Sequence, residues 1–211
     1  MTWLDSREKF DKSFLIESLE KTGPRNDFSF LLTLINEKKQ YFPNSVTKVK
    51  DNWIKYQSKE ILLFWYEDNN EIYIAAEFSI DPYILTVNII GKNLKFKKSY
   101  PYASDLYSEV LEDSKSNNPA IKLYSDKSLS EEGFKIWQRL LDKGHKISVY
   151  DVSDKNHIEL QKITNIDDLK KYHMQDPEFQ KYRYVISETS YTSDLNHFFV
   201  LREYRRLSGI L

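Results

Sequence analysis

The sequence predicts an α+β domain: a mixed sheet with an antiparallel meander in its first half and helices on both faces. Three observations predict it. The apolar pattern switches from helical spacing to a period of two at Glu60 and keeps that period to about residue 98. Turn residues punctuate that stretch at Asp68-Asn69-Asn70, Asp81-Pro82 and Gly91-Lys92-Asn93. Beyond it, helical and extended patterns alternate to the end of the chain.

Taken in order, the first element is a helix. Asp5 caps it, Phe10, Phe14, Leu15 and Leu19 recur at helical spacing, and Gly23-Pro24 stops it. Residues 28–39 read as a helix capped by Asn26, with a buried strand as the alternative. Residues 40–59 carry no assigned element. Glu60–Glu67 and Glu71–Ile80 are strands joined as a hairpin through Asp68-Asn69-Asn70. Tyr83–Ile90 is a third strand, and Leu94–Lys97, alternating apolar and Lys, is a fourth.

The second half begins with a helix over Tyr102–Glu112, whose apolar side is Ala103, Leu106, Tyr107, Val110 and Leu111. A strand follows at Ala120–Tyr124. Ser128 and Glu131 form a capping box for the helix that carries Phe134, Trp137, Leu140 and Leu141, and Lys143-Gly144 ends it. Ile147–Asp151 and His157–Ile163 are strands, Ile166–His173 a helix, Tyr182–Glu188 a strand, and Asp194–Leu207 a last helix. The 211 residues suit one domain: a core over 60–151, a helical addition over 1–50 and a strand–helix extension over 152–211.

Composition narrows the function classes. The chain has no cysteine, which excludes disulfides, thiolate catalysis, iron–sulfur clusters and Cys-type zinc sites. Its four histidines (His145, His157, His173, His197) form no H-x-x-x-H or H-E-x-x-H pair, so no metal is expected. Five Gly and six Pro leave no Gly-rich phosphate loop, and no G-x-S-x-G elbow is present. Residues 1–20 have no continuous apolar region, and the longest apolar run, Ile61–Tyr66, is too short for a bilayer. A cytoplasmic location without a membrane is the expectation.

The formal net charge of −1 argues against a nucleic-acid partner. Lys92, Lys95, Lys97 and Lys98, interleaved with Leu94 and Phe96, read as the solvated face of a half-buried strand. Arg202, Arg205 and Arg206 read as cations complementing a helix C-terminus.

Over 60–151 the predicted order is strand, hairpin, strand, a break and a helix, then strand–helix–strand. With the stretch from Leu123-Tyr-Ser-Asp-Lys-Ser-Leu to Gly144-His-Lys-Ile-Ser-Val-Tyr-Asp151, it resembles the Gcn5-related N-acetyltransferase (GNAT) fold, in particular GNAT-like proteins encoded by tailed phages. The resemblance implies an acetyl-CoA site built from a splayed strand and a loop of pattern Q/R-x-x-G-x-G/A at a helix N-terminus, where free N–H groups and the helix dipole hold pyrophosphate.

The best-matching segment is Lys98-Ser-Tyr-Pro-Tyr-Ala103, with Lys98 in the place of the Arg and Ala103 at the last position. These two are the cofactor-binding candidates the resemblance implies. Pro101 stands where the pattern has Gly and removes a donor. Asp105, in the first helical turn, competes with a bound phosphate. The resemblance also implies a Tyr acid on the later helix. Trp137 occupies that region and its indole N–H is too weak an acid. Tyr124 and Tyr150, at the ends of neighbouring strands, are the substitute catalytic candidates. The expected function is therefore a non-catalytic protein-binding domain on a GNAT-like scaffold, a phage protein acting on a host or defence protein, without cofactor. The alternative is a CoA-dependent N-acyltransferase with a degenerate pyrophosphate loop, for which acetyl-CoA is the cofactor.

Overall fold

The computed structural model describes residues 27–126, 129–153, 156–172 and 181–187. The helices expected around Phe10–Leu19 and over Asp194–Leu207, and Ser128, lie outside the described residues. Within them the chain is α+β, with a nine-stranded mixed sheet and helices on both faces.

The first described element, α1 (Asp27–Tyr41), is the helix rather than the strand alternative. It presents Leu31, Leu34 and Ile35 to Leu63, Trp65, Ile72 and Ala75 on one face of the sheet. Glu67 fastens it there, accepting from Lys39 Nζ (2.5 Å) and from the Trp65 indole N–H (2.9 Å).

Five strands then run antiparallel: β1 (Val46–Lys50), β2 (Trp53–Gln57), β3 (Ile61–Asp68), β4 (Glu71–Asp81) and β5 (Ile84–Lys92). The β3–β4 turn places Asn69 and Asn70 at φ 50° and 62°, the left-handed geometry a two-residue hairpin needs and Asn tolerates. The meander thus begins two strands earlier than the sequence pattern suggests. Val46 and Val49 alternate too weakly against three exposed neighbours to mark β1.

The expected strand at Leu94–Lys97 is instead a 3₁₀ turn over Leu94–Phe96. The Asn93 side chain accepts the Lys95 N–H (3.0 Å), and Phe96 stacks on Tyr73 with ring centroids 3.7 Å apart. Local capping and one aromatic contact outweigh an alternation only four residues long.

From that turn the chain enters α2 (Ala103–Asn117), then β6 (Lys122–Tyr124), α3 (Glu131–Asp142), β7 (Ile147–Asp151), β8 (Ile158–Ile163), α4 (Ile166–Lys171) and β9 (Tyr182–Ile186). The cap of α3 is Ser130, whose hydroxyl accepts the Gly133 N–H (3.1 Å); in place of the capping box expected from Ser128 and Glu131 there is this single cap, since Gly133 has no side chain to return the bond. Gly144, at φ 85°, turns the chain out of the helix.

Strand order is β1-β2-β3-β4-β5-β6-β9-β7-β8. Among the described strand pairs only β5–β6 is parallel. The main core fills the face opposite α1, where Leu106, Tyr107, Val110 and Leu111 of α2 and Phe134, Trp137 and Leu140 of α3 cover Phe64, Phe78, Leu123 and Tyr184. Trp137 is fully buried, 6.2 Å from the Tyr107 ring and 5.6 Å from that of Tyr184.

Candidate functional site

The parallel β5–β6 pair is short. Ile84, Leu85 and Thr86 face Lys122, Leu123 and Tyr124, and there the ladder ends, while β5 continues to Lys92. Just past Thr86, Asn88 is an extra residue against β4: Glu77 faces Ile89 and Phe78 faces Val87. Its side chain donates to Glu77 (2.9 Å). A bulge bends and twists the strand that carries it, and this one falls just past the end of the β5–β6 ladder. The stretch of β5 not paired with β6 lies at the carboxyl end of the parallel pair, the end at which open sheets with crossover helices place ligands.

Lys92, at the end of this stretch of β5, ties it to the start of α2 through the Pro101 carbonyl. A helix start offers unpaired N–H groups and a positive dipole end to an anion. Here the anion is the chain's own. Asp105 accepts the Tyr102 N–H through Oδ2 (2.7 Å) and holds Lys143 Nζ at 2.5 Å through Oδ1. Pro101, buried just before the cap, has no N–H to offer.

Lys92, at the end of β5, donates to the Pro101 carbonyl (2.8 Å) and to that of Ser99. Its ammonium also lies 4.9 Å from the Tyr102 ring, and the Arg139 guanidinium lies 5.6 Å from the same ring. Burial holds Lys92 below the usual lysine range; Asp105 opposes that shift and Arg139 adds to it. Lys98 is exposed on the loop, where its carbonyl accepts the Tyr102 hydroxyl (3.3 Å), and Ala103 is the half-buried first residue of α2. The loop thus brings Ala103 and Pro101 to the helix start. The cations directly at it are Lys92 and Lys143. Lys143 is far from Asp105 in sequence and no local pattern announces it.

Tyr124 and Tyr150 are brought together, with ring centroids 5.9 Å apart, although their strands are not neighbours as expected. β9 runs between β6 and β7, and its Val185 packs with both rings. The Tyr150 hydroxyl accepts from Lys122 Nζ (3.2 Å) and donates to Glu159 Oε2 (3.1 Å), whose other oxygen accepts from Ser148 (3.0 Å). The Tyr124 hydroxyl meets His157 Nδ1 at 3.4 Å. Burial pushes the Tyr124 phenol up to about 12, with the neighbouring Tyr150 adding to it. Burial likewise raises Tyr150 to about 12, with the hydrogen bond to Glu159 and that carboxylate's charge contributing. Both phenols hold their protons firmly, which makes them weak donors to a departing thiolate.

A serine–histidine contact also occurs, Ser108 Oγ to His145 Nε2 at 2.9 Å. The Ser108 hydroxyl also lies 2.9 Å from the Ser104 carbonyl, which can only accept; when the hydroxyl donates there, the imidazole is the donor to Ser108. This pair joins α2 to the loop after α3, and in that arrangement the serine is not an activated nucleophile. Among the described residues, no group of three or more His, Asp or Glu is placed to hold a metal ion, and no helix is long and apolar enough to cross a membrane. The chain matches none of the protein-family models and none of the curated proteins compared with it.

Proposed function

We propose that the chain is a non-catalytic protein-binding domain on a GNAT-like scaffold, a phage protein whose partner is a host or defence protein. The scaffold part of this reading is supported by the antiparallel meander, the bulged β5 with its short parallel ladder to β6, and the helix that connects the two in the chain. The observation that carries the non-catalytic part is the occupied helix start. Asp105 takes the Tyr102 N–H and the Lys143 ammonium, two of the donors an anion at this helix start would use. Displacing that carboxylate costs an ion pair and a cap, and brings two like charges together. The tyrosine pair supports the same reading, since both phenols sit in satisfied hydrogen bonds with raised pKa values.

A second reading, a CoA-dependent N-acyltransferase, is favoured by one feature: the stretch of β5 from Val87 to Lys92 that is not paired with β6. Equilibrium dialysis with labelled acetyl-CoA tests the choice. The protein-binding reading expects no retention above that of an unrelated protein. Saturable retention that weakens in Lys98→Ala, together with transfer of the acetyl group to any amine, puts the acyltransferase first.

A further inference from the structure

We infer that the loop from Leu94 to Tyr102 is the docking surface of this domain and that its partner is an acidic segment of another protein, an inference that rests on the protein-binding reading above. Between Asp81 and Asp105 the chain has no acidic residue, while Lys92, Lys95, Lys97 and Lys98 contribute four positive charges. The whole chain carries −1, so everything outside this stretch carries −5. Positive charge is therefore concentrated here against an otherwise acidic background.

The fold spends part of that charge internally and leaves part outward. Lys95 pairs with Glu71 (2.7 Å), and Lys92 is committed to two backbone carbonyls. Lys97 and Lys98 are exposed and make no ion pair among the described residues. Beside them stand three large apolar side chains facing solvent: Leu94 is 77% exposed, Tyr100 54% and Tyr102 40%. Tyr is a residue type enriched among interface anchors, and the lysines around it supply charge to complement a partner.

Contacts within the fold shape this surface: the Phe96–Tyr73 stack, the Asn93 cap, and the edge contact of Tyr100 with Tyr66 (5.8 Å). The cations then select for carboxylates through complementary charge, and Leu94 and Tyr100 supply the apolar contact. A nucleic acid fits less well: its long run of phosphates would meet the −5 remainder of the chain, whereas a short acidic peptide segment spans only the loop.

The test is fluorescence anisotropy with a labelled peptide of alternating Glu and Phe, its Gln-for-Glu counterpart, and a single-stranded oligonucleotide. The expected result is saturable binding of the acidic peptide, lost with its Gln counterpart and reduced about tenfold or more by Lys97→Glu with Lys98→Glu. Leu94→Ala with Tyr100→Ala weakens it too, but leaves its salt dependence in place; circular dichroism checks that each variant is folded. Equal binding of the Gln peptide, indifference to the Lys changes, or tighter binding of the oligonucleotide overturns the inference. Acetyl-CoA added as competitor separates this claim from the one beneath it. If acetyl-CoA binds and the acidic peptide still docks, the non-catalytic reading falls and the docking surface stands. If neither binds, the surface falls and the non-catalytic reading stands.

Discussion

Asp105 and Lys143 meet at 2.5 Å across the start of α2, joining the first turn of one helix to the residue that closes the next. Because the same carboxylate accepts the Tyr102 N–H, one side chain caps α2 and ties it to α3. Asp105→Ala is therefore expected to destabilise the domain by about 1–2 kcal/mol, the loss of a charged N-terminal cap. Lys143→Ala, whose ammonium is partly solvated, should cost no more than about 1 kcal/mol. Urea denaturation of both variants checks the ordering. A larger loss in Lys143→Ala than in Asp105→Ala would show that the ion pair, not the cap, dominates.

Trp137 belongs to the core, packed between Tyr107 and Tyr184. Truncating it to Ala leaves a cavity in a region closed on all sides and should cost about 3–5 kcal/mol. The measurement is the midpoint of chemical denaturation at constant m-value. A variant of unchanged stability that loses a binding activity would move Trp137 from packing to recognition.

The tyrosine pair gives a pH dependence with a definite sign. Tyr124 and Tyr150 are each raised to about 12 in the folded protein. An acid whose folded pKa lies above its unfolded value contributes stability that is present below the unfolded value and is lost as pH rises through the folded one. Stability should thus fall between the ordinary tyrosine range, about 10, and about 12. In an ultraviolet titration, replacing both residues of the pair with Phe should shrink the high-pH tyrosinate absorbance change by two residues, leaving the part due to Tyr107 and Tyr184, which burial raises further. A high-pH change of undiminished size in the double Phe variant contradicts the assignment.

Local chemistry made much of the first sheet legible. Asp68-Asn69-Asn70 announces its hairpin because Asn accepts the positive φ seen at both central residues, and Ile147–Asp151, expected as a strand after the Lys143-Gly144 stop, is one, with four buried residues in a row. Contacts distant in sequence left no such trace. β9 enters the sheet between β6 and β7, a placement set by the packing of Tyr184 and Val185 rather than by any pattern in Tyr182–Ile186. The Leu94–Lys97 segment shows the converse failure: four alternating residues suit a strand edge equally well as a 3₁₀ turn, and the Asn93 cap decided. At the candidate site, Pro101 and Asp105 were readable as obstacles to an anion. The cations they work with, Lys92 and Lys143, arrive from β5 and from the end of α3.

The most direct test of the occupied helix start is calorimetry with acetyl-CoA on the native chain and on the double variant Pro101→Gly with Asp105→Ala. The native protein should give little or no binding heat, because the N–H of Tyr102 and the ammonium of Lys143 already serve Asp105. Restoring a donor and removing the carboxylate should strengthen any binding that is present. Tight binding by the native protein, weakened rather than strengthened in the double variant, would contradict the account.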